Sequence, residues 1–256
     1  MIQVQGLKKR FGALEVLRGV DLEIQDGETI VVIGVSGGGK SVLLKHLCGL
    51  LKPDEGKVIV DDVDIVPLSE DEMAPTRRKF GYLFQGAALF DSMTLFDNVA
   101  FPLREERSLG EDEVTKRVEE ALEIVDLSEA KDKKPAELSG GMRKRAGLAR
   151  AVVAHPKYLL YDEPTTGLDP IRADTINNLI LRLRDRFKVT GVAVTHDMAS
   201  AYKIADRIAM LHEGVIHTVG TPKEIQATTD PVVNQFIRGM AEEHKEAQRG
   251  STATVH

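Results

Sequence analysis

"TIVVIGVSGGGKS", residues 29–41, runs straight from an apolar segment into a loop with four glycines in eight positions. The β-branched stretch at 29–33 suits a strand covered on both faces of a sheet. Glycines at 34, 37, 38 and 39 let the backbone curl so that successive N–H groups face one anion, the arrangement coded by G-x-x-x-x-G-K-[ST]. Gly34, Ser36, Gly37, Gly38 and Gly39 are the expected phosphate cradle. Lys40 can reach the terminal phosphates, and the Ser41 hydroxyl can sit on Mg²⁺. Val42 brings no second hydroxyl, so the α-phosphate leans on backbone amides there. A helix is expected from about Lys40 to Leu51, stopped by "KPDEG".

Outward from this loop the chain reads as a βαβ core. On its N-terminal side, "MIQVQGLKKRF" and residues 16–35 are strand-rich, punctuated by Gly12, Gly19 and Gly27. "KVIVDDVDI", 57–65, reads as one more strand. Between about 86 and 155 the character changes, with apolar residues at helical spacing in "EDEVTKRVEEALEIVDL" and no convincing strand. Strand and helix then alternate through "KYLLYDEP", "DPIRADTINNLILRLRDRF" and "TGVAVTH". Residues 198–220 supply a further helix and two short strands. The expected class is α/β: a P-loop NTPase (RecA-like) core plus an N-terminal antiparallel β subdomain, together spanning residues 1–85 and 156–240, with a helical insertion at about 86–155. A polar tail, 241–256, is expected to fray beyond Arg249.

Three strand tips carry the remaining chemistry. The apolar run "YLLYDEP", 158–164, ends in two carboxylates at the sheet edge where α/β folds bind ligands. Asp162 is the expected Mg²⁺ ligand, and Glu163 the expected group to polarise an attacking water. His196 ends "VTH" and is placed to sense a γ-phosphate. A second anion-binding signal stands at 137–151, "ELSGGMRKRAGLARA". Ser139 reads as a helix N-cap, and the amides of Gly140 and Gly141 as donors to an anion.

Bulk properties limit the alternatives. The 256 residues, 42% hydrophobic and 29% charged with a formal net charge of −6, fit a globular protein and argue against a general nucleic-acid coat. The single cysteine, Cys48, excludes an internal disulfide framework and is expected to be a buried apolar residue. No stretch approaches a membrane span and the N-terminus lacks a signal-peptide core, so the chain is expected to stay in the cytoplasm and meet membranes only through a partner.

"GVSGGGKS", Gln85 in "LFQ", "LSGGM", "LLYDEP", "GLD" at 167–169 and His196 stand in an order that resembles the ATP-binding subunits of ABC transporters across residues 1 to about 240. The resemblance implies an ATPase using Mg²⁺. It implies stacking of Phe11 on adenine, and a role for Gln85 both as a metal ligand and as a link between core and helices. It implies that Ser139, Gly140 and Gly141 complete the site of a second copy packed head to tail, with Asp169 of "GLD" also at the nucleotide. Met142 stands where many relatives have Gln. The helices, with the surface around 86–105, should dock an integral-membrane permease.

A finer resemblance is carried by "FGYLFQGAALFDSMTLFDNVAFPLRE", "SVLLKHLCGLLKPDEG" and "LSGGMRKRAGLARA". These look like the ATPase of MCE-linked, Mla-type phospholipid transport systems. That implies lipid as cargo, the cytoplasmic face of the inner membrane as the location, and MCE-domain and small regulatory subunits as further partners, with no nucleic acid. An ATPase of a polar amino-acid importer shares most of the motifs. A soluble ABC ATPase would bring two ATPase units or long coiled-coil arms, and a P-loop small-molecule kinase has no use for "LSGGM".

Overall fold

The computed structural model describes residues 1–239; the expected polar tail lies outside the described residues. Four strands form an antiparallel sheet in the order β2-β1-β4-β5: β1 Ile2–Phe11, β2 Leu14–Ile24, β4 Glu55–Val60 and β5 Val63–Asp64. Six strands form a second sheet in the order β10-β9-β3-β8-β7-β6. These are β3 Thr29–Ile33, β6 Phe80–Leu83, β7 Tyr158–Asp162, β8 Thr190–Thr195, β9 Arg207–His212 and β10 Val215–Gly220. Only β10 runs antiparallel to its neighbour, so five strand tips point the same way.

Period-two alternation divides the core between the two faces of the large sheet. Ile30 and Val32 of β3, with Leu160 of β7 and Val192 of β8, pack towards the antiparallel sheet and helix α1 Lys40–Leu47. Val31 and Ile33, with Leu159, Tyr161 and Ala193, face the helices on the opposite side of the sheet. Covered on both sides, β3, β7 and β8 favour apolar side chains on both faces through their middles, and this is why they read as short continuous runs rather than alternating ones.

Between β6 and β7 the described residues contain no strand. Helices α3 Leu95–Glu106, α4 Glu111–Ile124 and α5 Gly140–Val152 fill the segment, with 3-10 turns at Ser128–Ala130 and Pro135–Glu137. The core resumes with α6 Pro170–Phe187, α7 Met198–Ile204, α8 Pro222–Ala227 and α9 Pro231–Arg238; α2, Glu70–Arg77, precedes β6.

Two boundaries differ from the sequence expectation. Helix α1 ends at Leu47 rather than Leu51, because Gly49 takes a left-handed φ of 69° against the side chain of Met73. "KVIVDDVDI" is a hairpin and not one strand, since Asp61 and Asp62 both have positive φ, 48° and 67°. Positive φ at both central residues is the geometry of a two-residue turn whose twist matches the flanking strands. Cys48 is buried as expected, and burial pushes its thiol up to about 11.

Candidate nucleotide site

The loop between β3 and α1 has the expected curl. Gly34, Gly37 and Gly39 take φ of 154°, 77° and 96°. At Gly34 a Cβ would fall 2.4 Å from the carbonyl oxygen of Leu211, and at Gly39 it would fall 2.9 Å from Val16 Cγ1, so the cradle tolerates no side chain at either place. Ser36 and Gly37 are exposed and Gly38 half-buried, leaving an open rim. The side chain of Val42 packs against the core between the two sheets, so this residue can offer a ligand only its backbone.

Lys40 lies folded inside the curl. Its Nζ donates to the carbonyls of Gly34 at 2.9 Å and Val35 at 3.0 Å, and stands 3.7 Å from Glu163 Oε1. Burial lowers its pKa, opposed by the nearby Glu163 carboxylate. An ammonium held by two carbonyls inside a glycine-rich curl is placed where it could meet a polyphosphate. Beside it the Ser41 hydroxyl donates to Asp162 Oδ1 at 2.6 Å, and Tyr82 donates from the far side to Oδ2 at 3.2 Å. Hydroxyl and carboxylate together offer hard oxygen donors of the kind that would suit Mg²⁺. Among the described residues there is no cluster of three or more His, Cys, Asp or Glu that could hold a metal by itself.

Glu163, one residue past the end of β7, has a left-handed φ of 49° and a buried carboxylate. Thr166 donates to its Oε2 at 2.8 Å, and His196 Nδ1 lies 3.0 Å from the same oxygen. To bind a carboxylate Nδ1 must donate, which makes Nε2 of a neutral ring an acceptor. A contact from His196 to a phosphate oxygen therefore needs the imidazolium, or needs Nδ1 to release Glu163.

The remaining expected residues lie further out. The Phe11 ring is half exposed at the end of β1, with Lys9 Nζ 5.7 Å from its centroid. Gln85 is exposed; its side chain makes no hydrogen bond among the described residues, while its carbonyl accepts from Lys144 Nζ. Asp169 caps α6, its Oδ1 accepting from the N–H groups of Ile171 and Arg172 at 3.1 and 3.0 Å, which accounts for an aspartate there on structural grounds alone.

Ser139 is the N-cap of α5, accepting from the Met142 amide at 3.3 Å. No hydrogen bond joins residues 139–141 to residues 34–41 among the described residues. Gly141 sits beside Arg172 at the start of α6. A Cβ on Gly140 would meet nothing within 4 Å, so nothing among the described residues requires that glycine.

Sequence reasoning missed Tyr82, Thr166 and Lys144. A signal for Lys144 was present, since it lies three and four residues from the buried Gly147 and Leu148 and so shares their inward face.

Residues 17–166 match the sequence model of the family described as ABC transporter. This chain belongs to that family. It is an ATP-binding subunit of the ABC type, with the α/β cassette fold, and it hydrolyses ATP in a reaction coupled to transport. It is 43% identical to the probable ribonucleotide transport ATP-binding protein mkl of Mycobacterium leprae, over 99% of this chain and 75% of that protein. It is 39% identical to methionine import ATP-binding protein MetN 1 of Bacillus cereus, over 97% and 75%. Among solved structures it resembles a dimeric post-hydrolysis state of the ATP-binding cassette MJ0796 bound to ADP and Pi, with TM-score 0.80, 33% identity and coverage of 87% of this chain and 99% of that one. No described helix of this ABC ATPase is long and apolar enough to cross a membrane.

Proposed function

We propose that two copies of this ABC ATPase close head to tail around two ATP molecules and drive permease subunits that move phospholipid between bacterial membranes. The observation that carries the two-copy site is Gly140, exposed at a capped helix N-terminus and crowded by nothing among the described residues. A glycine that the fold does not need is explained by a close approach from outside. The free N–H groups there favour an anion such as the partner's γ-phosphate.

Within each site Phe11 stacks on the adenine, and the backbone of Gly34, Ser36–Gly39, Ser41 and Val42 holds the phosphates. Lys40 exchanges its two loop carbonyls for β- and γ-oxygens. Ser41, Asp162 and Gln85 would hold Mg²⁺, which would supply positive charge to the phosphate oxygens. Glu163 accepts a proton from water as the water oxygen bonds to the γ-phosphorus and the bond to the β–γ bridging oxygen breaks, leaving ADP and phosphate. His196 holds Glu163 before the reaction and turns to the γ-phosphate in the closed state. Ser139, Gly140, Gly141 and Asp169 face the other copy. The subunit sits on the cytoplasmic face of the inner membrane through the permease, alongside MCE-domain and small regulatory subunits.

The lipid assignment rests on the resemblance of the segments around Gln85 and Ser139 to MCE-linked systems. The methionine-import name of one relative favours a second reading, an importer of polar amino acids. The test uses Glu163→Gln. This variant should bind MgATP, hydrolyse it about 10²–10⁴ times more slowly, and elute as an ATP-dependent dimer. Isolated from its native membranes it should bring down permease and phospholipid. Wild-type turnover would remove Glu163 from its role, and a complex that binds methionine but transfers no lipid would establish the second reading.

A further inference from the structure

Helix α5 carries four cations, Arg143, Lys144, Arg145 and Arg150, and none of them pairs with a carboxylate among the described residues. Each holds backbone carbonyls instead. Arg143 donates to Leu138 at 2.8 Å, Arg145 to Val125 and Asp126 at 2.9 Å each, and Arg150 to Ala87 and Ala88 at 2.6 and 2.7 Å. Arg143 and Arg145 thereby tie α5 to its own entry turn and to the end of α4.

Lys144 reaches into the catalytic site. It is 6% exposed, and its Nζ donates to the carbonyl of Glu163 at 2.9 Å and to the carbonyl of Gln85. The left-handed backbone of Glu163 leaves its carbonyl on Lys144 while its carboxylate lies beside Lys40 and His196. One ammonium thus joins three segments: the strand end that activates water, the loop that follows β6, and the helix that begins at Ser139.

We propose that Lys144 is a positioning residue that couples the two ATP sites of the dimer, making Glu163 and the Gln85 loop of one site follow the Ser139 turn that serves the other. This rests on the head-to-tail reading above. Ser139 and Lys144 are five residues apart on one rod, about 7.5 Å along its axis. A helix so short transmits a shift at its N-cap to Nζ with little loss. Nucleotide held by the Ser139 turn in one site then fixes the backbone of the water-activating glutamate in the other. The coupling is a free energy between two distinct sites, and it shows as cooperativity in ATP.

The test uses the full chain with Lys144→Met, which removes charge and donors, and Lys144→Gln, which keeps two N–H donors without charge. Trinitrophenyl-ATP should bind the lone Lys144→Met subunit within about twofold of wild type. Lys144→Met in the Glu163→Gln background should still dimerise with ATP. In hydrolysis, kcat of Lys144→Met should fall about tenfold or more and its Hill coefficient drop to about 1, with Lys144→Gln recovering most of both. Cooperative turnover of Lys144→Met at the wild-type rate would overturn the proposal. So would equal loss in both variants together with a lowered melting temperature, since Lys144 would then serve folding alone. If Glu163→Gln itself forms no ATP dimer, the head-to-tail reading is what has failed.

Discussion

An alanine at position 34 would place its Cβ 2.4 Å from the carbonyl oxygen of Leu211, in the backbone of the neighbouring strand β9. Backbone cannot step aside as the tip of a side chain can, so Gly34→Ala should cost about 1–3 kcal/mol of stability and misplace the first amide of the cradle. Chemical denaturation and nucleotide titration measure the two effects. An unchanged denaturation midpoint would show that β9 yields and that glycine is needed there for ligand alone. Lys40 poses the opposite problem, because its ammonium already has partners before any ligand arrives. Binding exchanges two carbonyl acceptors and a carboxylate 3.7 Å away for phosphate oxygens, so the loop gives up little by opening. The carboxylates were legible in the sequence as a strand end beside a phosphate loop. Their supports, Tyr82 and Thr166, were not, because each is an ordinary residue type whose partner stands 80 or 3 positions away along the chain.

Helix α5 separates what local pattern reveals from what only packing reveals. Its start was legible, since serine followed by two glycines marks a capped N-terminus with exposed amides. Its basic stretch resembles a solvated face or an anion patch, yet the cations lie on carbonyls of four separate segments. Strand β6 was missed for a related reason. A Cβ on its Gly81 would sit 1.9 Å from the carbonyl oxygen of Ala151, so α5 lies directly on this strand, and the glycine that permits the contact also breaks the strand pattern. Charged α2, with Pro75 inside it, showed no apolar stripe to read. Gly140 differs from Gly81 in that a Cβ there would meet nothing within 4 Å among the described residues. Gly140→Ala should therefore leave the lone subunit at least as stable, gaining about 0.5 kcal/mol at most from helix propensity, while lowering ATPase activity of the dimer. Thermal melts and turnover check the two halves separately. A variant with full activity would mean that no partner approaches this turn.

At the scale of the whole molecule, the parallel strand tips gather Lys40, Ser41, Asp162, Glu163 and His196 at one edge of the sheet, while Ser139 and Gly140 open elsewhere on the surface with no hydrogen bond to that edge among the described residues. On the head-to-tail reading proposed above, one chain holds half of each of two sites, and complementation between variants tests this directly. Ser139→Arg puts a bulky cation on an exposed turn, so ATP binding by the lone subunit should survive while closure is blocked. Lys40→Ala removes the proposed phosphate ligand and leaves the turn intact. Each variant alone has no intact site and should be inactive. In a mixed head-to-tail dimer the unaltered loop of the Ser139 variant meets the unaltered turn of the Lys40 variant, and both lesions fall in the other site. Mixing should therefore restore ATPase activity, about half of wild type per mixed dimer at most, and less where the two sites depend on each other. A site built within a single chain gains nothing from mixing. Cysteine cross-links between position 139 and the partner's loop, trapped with nucleotide, separate the two ways in which rescue can fail. If cross-links form without activity, one intact site does not suffice; if none form while dimers do, the two-chain site is wrong.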